Sequence, residues 1–150
     1  MWAWYSGAIA SQSIAAACQD DGMSAPSGIH HIALTVTDLE TSTAWYKRVL
    51  GLEEIRREEG EVRHAVLLTW GTHPTIGLVH HDADDSVFDP TMTGLDHAAF
   101  TVDSREELDE WAARFDAEGV THSGAIDVPT GAILNFKDPD GIALALFWDR

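Results

Sequence analysis

The sequence has only one cysteine, Cys18, so it can form no internal disulfide and no cysteine-based zinc site. We therefore expect the protein to work in a reducing compartment, the cytoplasm. Basic residues are also scarce: 9 Lys and Arg stand against 25 Asp and Glu, which gives a formal net charge of −16. Because this charge repels phosphate groups, neither nucleic acid nor an anionic membrane surface is an expected partner.

Long hydrophobic runs are missing too, since no stretch approaches the ~18 residues that a membrane span needs. Residues 1–22 are small and apolar, but they lack the positive segment that opens a secretory signal. We predict that residues 1–28 are a disordered extension, with a lipoprotein signal ending at Cys18 as the alternative. The remaining chain is long enough for one domain, or for two small modules that share a core.

A repeat is the main feature that the sequence does contain. The segment that begins at His31 recurs at His97, an offset of 66 residues. At the same offset Thr35 aligns with Thr101, and Trp45 aligns with Trp111. A fixed offset of this kind indicates a duplicated structural unit.

Each copy has the hydrophobic pattern of a βαβββ module, which predicts an α+β fold with modules at 29–81 and 95–149 in a single domain, 29–149. The predicted strands are 29–36, 52–58, 62–70 and 75–81, then 97–102, 120–123, 131–137 and 142–148. Thr37 and Asp103 are the predicted N-caps of the two helices, and Gly51 and Gly119 end them. Residues 82–93 are polar and are either a linker between the modules or a flap over a site.

The histidines at the heads of the first strands predict a metal site. A histidine that faces a concave sheet is a good neutral imidazole ligand. We expect the modules to form a curved mixed sheet whose central cleft receives His31 and His97. A divalent ion held there keeps open positions for substrate oxygens. The alternative is that each imidazole merely caps its strand; His64, His73 and His122 have no predicted partner.

These motifs, with the closing segment from Phe136 to Gly141, resemble the vicinal oxygen chelate superfamily. This superfamily includes glyoxalase I, extradiol dioxygenases, and the fosfomycin- and bleomycin-resistance proteins. The resemblance covers about residues 28–149 and implies the glyoxalase fold, a divalent metal, a small-molecule substrate and a homodimer. It also implies that His31 and His97 are metal ligands. The carboxylate ligand of the metal-dependent members falls on Ala145, which can neither bind a metal nor move a proton.

His81 is the predicted substitute, as third ligand or as acid/base group. At the offset of the repeat, Val79 corresponds to Ala145 and His81 to Phe147, and a slip of one residue would bring His80 into the cleft instead. The expected ion is iron, zinc, nickel, manganese or copper. The predicted substrate pocket is lined by Val79, Ala145, Trp70, Asn135 and Phe147.

Two functions follow from this sequence. The first is a metal-dependent lyase, isomerase or dioxygenase that chelates two oxygens of a small organic substrate. The second is a metal-free protein that sequesters a hydrophobic or cationic small molecule, as bleomycin-resistance proteins do. Ala145, the tryptophans and the acidic charge favour the second function, whereas the His31 and His97 pair favours the first.

Overall fold

The structure, a computed structural model, describes residues 26–71, 74–82 and 86–150. Most of the predicted extension, including Cys18, lies outside these residues, as does His73. In the described part of the chain, no helix combines the length and the apolar character needed to cross a membrane.

The described residues form two successive βαβββ modules, as the sequence pattern predicts. The first module contains β1 His31–Thr35, α1 Leu39–Leu50, β2 Glu53–Glu59, β3 Arg63–Thr69 and β4 Thr75–His81. The second contains β5 Ala98–Thr101, α2 Arg105–Glu118, β6 His122–Val128, β7 Gly131–Lys137 and β8 Ala143–Asp149. The chain is therefore an α+β protein built from a duplicated unit.

Each module has its own four-stranded mixed sheet. The strand orders are β1-β4-β3-β2 and β5-β8-β7-β6, so the two sheets have the same topology. In each sheet the first strand pairs in parallel with the last, and the other neighbours are antiparallel. Strands β1 and β5 are both edge strands, and no hydrogen-bond ladder joins them.

A single hydrophobic core crosses the boundary between the modules. Side chains of α1, among them Tyr46 and Val49, are completely buried, as are Leu108 and Phe115 of α2. The ring of Phe115 lies 4.6 Å from that of Phe136 on β7. Burying a side chain of this size contributes about 1.5–3 kcal/mol, so the shared core stabilises both modules together.

The N-cap of each helix lies one residue after the predicted N-cap. The carboxylate of Asp38 accepts from Thr41 N at 2.9 Å, and Ser104 Oγ accepts from Glu107 N at 3.2 Å. Asp38 and Ser104 are therefore the N-caps, and the predictions of Thr37 and Asp103 are wrong by one position. Two adjacent residues capable of capping make this boundary ambiguous in the sequence.

Strand β6 is longer than predicted and ends at Val128. Gly124 has a φ of 71°, and the register between β6 and β7 shifts between His122 and Ala125. This β-bulge interrupts the alternation of apolar and polar residues, which is why the pattern indicated a strand that ended at Ser123.

The turn between β7 and β8 fixes the first module to the second. Asp138 is 6% exposed, and its carboxylate accepts from Tyr46 Oη at 2.9 Å and from Ile142 N at 2.8 Å. Burial raises the pKa of Asp138, although these hydrogen bonds oppose the increase. Asp140 accepts from Thr37 N at 3.0 Å and from Ser42 Oγ at 3.2 Å. The two aspartates were predicted only as turn formers.

The described end of the connection between the modules runs beside β1. Val87, Phe88 and Met92 line a cavity of about 310 Å³ together with Ala33 and Thr35. Phe88 also packs against the hydrophobic core. This segment therefore lies next to the outward face of the strand that carries His31.

Candidate functional site

Two histidines lie at the heads of the edge strands. His31 is the first residue of β1, and His97 directly precedes β5. Leu34 of β1 and Ala98 of β5 are buried in the core. Because successive side chains of a strand point to opposite faces, both histidines face away from that core, and both are exposed.

In each module, the residue before the histidine contacts the Nδ1 atom of the imidazole. His31 Nδ1 lies 3.1 Å from His30 Nδ1, and His97 Nδ1 lies 2.6 Å from a carboxylate oxygen of Asp96. A carboxylate can only accept, so Nδ1 carries the proton of a neutral His97 and Nε2 keeps its lone pair. Metal-binding histidines are held in the same way. The duplication thus preserves the imidazole and a contact of its Nδ1 with the preceding residue, but that residue is His30 in one module and Asp96 in the other.

Ala145 lies at the position where the resemblance places a carboxylate ligand. It is completely buried, opposite Ala99 on β5 and Asn135 on β7. The side chains of the second module beside His97 therefore include no carboxylate at this point of β8.

The register of the first sheet changes the predicted correspondence between the modules. Ala33 pairs with Gly77, whereas Ala99, its counterpart in the repeat, pairs with Ala145. Gly77, and not Val79, is therefore the counterpart of Ala145. The offset of 66 residues that relates β1 to β5 does not carry over to β4 and β8, because the segments between them differ in length.

His81 shares the outward face of β4 but not the position of His31. In the parallel pairing, His31 lies opposite Thr75, six residues before His81. At ~3.3 Å per residue this separates the two along the strand by about 20 Å. The prediction that His81 joins His31 as third ligand or acid/base group in one chain is therefore wrong. His80 faces the opposite side, where its Nδ1 donates to Val36 O.

One cavity joins His97 to part of the predicted substrate pocket. It has a volume of about 770 Å³, and its lining includes His97, Asn135, Lys137, Ala143 and Trp45. His31 is not among its lining residues. Within a single chain, the candidate ligands of the two modules thus do not share this cavity.

The other predicted pocket residues are dispersed. Trp70 lines a separate cavity of about 560 Å³ with Phe100 and Trp111, and its Nε1 donates to Leu50 O. Val79 is buried opposite Thr35. Phe147 is half-buried and pairs with Ile133 on β7. Of the predicted pocket, only Asn135 lies in the cavity with His97.

The donor set in one chain does not fit a metal centre of the implied kind. Among the described residues, no three His, Cys, Asp or Glu side chains form a group that could hold a metal ion in their present positions. The implied nitrogen ligands, His31 and His97, lie at the heads of strands in different sheets. At the strand positions of Ala145 and Gly77, the chain supplies no carboxylate to complete the site.

Comparisons with known sequences point to one protein superfamily. The profile of the Glyoxalase/Bleomycin resistance protein/Dioxygenase superfamily matches residues 28–146. The putative ring-cleaving dioxygenase MhqA of Bacillus subtilis strain 168 is 27% identical over 82% of this chain. The match covers 40% of that relative, so the chain spans about two-fifths of its length.

Solved structures show the same arrangement of modules. A glyoxylase/bleomycin resistance protein/dioxygenase domain from Frankia sp. EAN1pec has a TM-score of 0.79 and 35% identity, covering 84% of this chain and 100% of that one. A glutamate-to-glutamine mutant of the fosfomycin resistance protein FosX from Listeria monocytogenes, complexed with Mn(II) and 1S,2S-dihydroxypropylphosphonic acid, has a TM-score of 0.68 and 25% identity. It covers 84% of this chain and 95% of its own.

Proposed function

Since the chain belongs to the glyoxalase/bleomycin resistance protein/dioxygenase superfamily, we propose that it binds a small oxygen-bearing organic molecule in a cleft between two copies. The sheet of the first module of one copy faces the sheet of the second module of the other copy. Each of the two resulting clefts receives His31 from one chain and His97 from its partner. This arrangement combines the predicted homodimer with the predicted site.

The exposed edge strands support pairing between copies. The outward residues His31, Ala33 and Thr35 of β1 are exposed, as are Ala99 and Thr101 of β5. An edge strand carries unpaired N–H and C=O groups that a second chain can approach. A two-fold axis creates both clefts at once, because an isologous contact repeats itself.

Ala145 is the observation that carries the proposal of binding without a metal. Its counterpart Gly77 also lacks a functional side chain, and a Cβ added there would lie 3.4 Å from Ala33 Cβ. At this strand position, neither module therefore provides a carboxylate to hold an ion or to shuttle a proton. Small side chains instead leave room for a ligand.

The side chains on the outward faces of the two sheets indicate which kind of ligand would bind there. Alanines and glycine form an apolar floor, which favours a compact hydrocarbon body. The Nε2 atoms of His31 and His97 and the amide of Asn135 form hydrogen bonds with hydroxyl or carbonyl oxygens. A formal charge of −16 disfavours strongly anionic ligands.

Calorimetric titration tests this function, with catechol as the probe because it carries two adjacent oxygens. We expect the chelator-treated chain to bind catechol, and Ala99→Trp to abolish binding by filling the cleft. Ala44→Trp, on the exposed surface of α1, is the matched control and should bind as the wild type does. Equal binding by Ala99→Trp and wild type would contradict the proposed cleft.

Metal-dependent catalysis is the second candidate, favoured by the matched Nδ1 contacts of His31 and His97. An ion at this place would polarise substrate oxygens. Elemental analysis of protein purified without chelator separates the candidates. A near-stoichiometric ion that is lost on His31→Ala supports catalysis, whereas catechol binding without any ion that depends on His31 supports simple binding.

A further inference from the structure

A second histidine pair lies on the other face of the first sheet. His64 on β3 and His80 on β4 are directly opposite each other in the antiparallel register. Their ring centroids are 6.4 Å apart, with an interplanar angle of 24°. The side chains are 28% and 26% exposed, so both rings are held in place but remain accessible to solvent. Directly opposed strand positions bring side chains close enough to share a ligand.

Both rings are oriented through Nδ1. His64 Nδ1 lies 2.6 Å from a carboxylate oxygen of Glu59, and His80 Nδ1 lies 3.2 Å from Val36 O. A carbonyl accepts, so Nδ1 of a neutral His80 is the donor and its Nε2 keeps its lone pair. His64 lies between two carboxylates, Glu59 at Nδ1 and Asp82 at Nε2, so an ion bound at Nε2 takes the place of the proton that this nitrogen donates to Asp82 when the ring is charged. Hydrogen bonding of Nδ1 to such acceptors fixes metal-binding histidines and increases their basicity.

Asp82 brings a carboxylate to both Nε2 atoms. Its Oδ1 lies 3.3 Å from His64 Nε2 and 3.9 Å from His80 Nε2. Ligands around a tetrahedral zinc ion, each 2.0–2.2 Å from the metal, are separated by roughly 3.3–3.6 Å. In their present positions, these three side chains do not form a group that could hold an ion. Because Asp82 is 52% exposed, its side chain can turn to admit one.

From this geometry we propose that His64, His80 and Asp82 bind a divalent transition-metal ion of the zinc class. Two imidazoles and one carboxylate complete three positions of a tetrahedral site, and water occupies the fourth. The site lies at the end of β4 that is remote from the strand position of His31, so it is independent of the proposed cleft. It attaches the first residue of the inter-module connection to the β3–β4 hairpin.

Cobalt(II) titration of the full chain tests the site, because a tetrahedral cobalt ion absorbs visible light. We expect one ion per chain, and a loss of affinity of about 10–100-fold in His64→Gln, His80→Gln and Asp82→Asn. His122→Gln is the matched control, since His122 is another partly buried histidine paired with a carboxylate, that of Asp116. It should bind cobalt as the wild type does.

Two further variants distinguish this site from the cleft. His31→Gln and His97→Gln should leave cobalt binding at His64 and His80 unchanged. Circular dichroism confirms that each variant is folded, and Asp82→Asn removes a ligand charge without cutting into the core. The proposal is overturned if the wild type gives no cobalt absorption, or if the three ligand variants bind cobalt as tightly as the wild type. Loss of binding only in His31→Gln or His97→Gln overturns it as well.

Discussion

At the scale of the residue, Ala145 decides which chemistry the cleft can perform. A glutamate at this point would place a carboxylate on the outward face of β8, beside His97. In the His64→Gln background, which removes the other proposed metal site, we expect Ala145→Glu to bind zinc at least about 10-fold more tightly than the same chain with Ala145, if the histidines keep the orientation of ligands. Isothermal titration measures this gain, and the isosteric Ala145→Gln is the control. An unchanged affinity in Ala145→Glu would show that the imidazoles do not converge on an ion.

Asp140 provides the second prediction at this scale. It accepts hydrogen bonds from Thr37 and Ser42 of the first module. Asp140→Ala leaves the Oγ of Ser42, a 1% exposed residue, without its acceptor, so the free energy of unfolding should fall by about 1–3 kcal/mol. Urea denaturation measures it. Asp149→Ala, at the exposed end of β8, should change stability by less than about 0.5 kcal/mol. A similar loss in both variants would contradict the assigned role.

The sequence identified His31 and His97 because a repeat makes equivalent residues visible. It failed for His81 because one offset was applied to strands whose preceding segments differ in length. It could not reveal the contact between Tyr46 and Asp138, which are 92 residues apart. Nor could it pair His64 with His80, since cross-strand neighbours depend on the register of the hairpin.

At the scale of the element, the helix starts make a testable distinction between adjacent residues. Ser104→Ala removes the oxygen that accepts from Glu107 N and should cost about 1 kcal/mol. Asp103→Ala, one residue earlier, should cost clearly less, because Asp103 is not the cap. Thermal denaturation of the two variants measures the difference. A larger loss of stability in Asp103→Ala than in Ser104→Ala would show that Asp103, the N-cap predicted from the sequence, is the true cap.

Asp38 extends this prediction to pH. The hydrogen bond from Thr41 N lowers the pKa of Asp38 below its usual value of 3.8. A carboxyl group with a lowered pKa stabilises the fold above its unfolded pKa and loses that contribution as the pH falls through its folded pKa. The stability difference between wild type and Asp38→Asn should therefore be constant above about pH 5 and shrink below pH 3.8. Denaturation between pH 2 and pH 7 checks this.

Element boundaries show what local patterns can predict. The strands with regular alternation, such as β7, were predicted with the bounds that the structure has. Strand β6 was not, because its bulge at Gly124 breaks the alternation. Hydrophobic periodicity reports regular backbone only, so irregular strands remain outside its reach.

At the scale of the whole molecule, the two edge strands predict complementation between variants. His31→Ala and His97→Ala should each weaken catechol binding, because every cleft loses one donor. If the clefts form between copies, mixing and re-equilibrating the two variants should restore intact sites in about a quarter of the clefts. Calorimetry on the mixture measures this recovery. A mixture with the double variant, which should recover nothing, is the control, and no recovery in either mixture places both donors in one chain.

The sequence predicted the duplication, but it did not predict whether the modules pair within one chain or between chains. Two identical topologies can combine within a chain or between chains, and the same hydrophobic pattern satisfies both. The contacts that hold the modules of one chain, such as Asp140 with Thr37, use polar atoms of a turn. Such contacts depend on tertiary structure and leave no periodic signal.

The aspartates of the β7–β8 turn help to hold the two modules together without the peptide that connects them. The side chains of Asp138 and Asp140 accept hydrogen bonds from α1, and the hydrophobic core crosses the same boundary between the modules. Covalent linkage is thus not what keeps the halves together. A polypeptide severed between them should persist as a non-covalent heterodimer of fragments, and separately produced halves should reassemble on mixing.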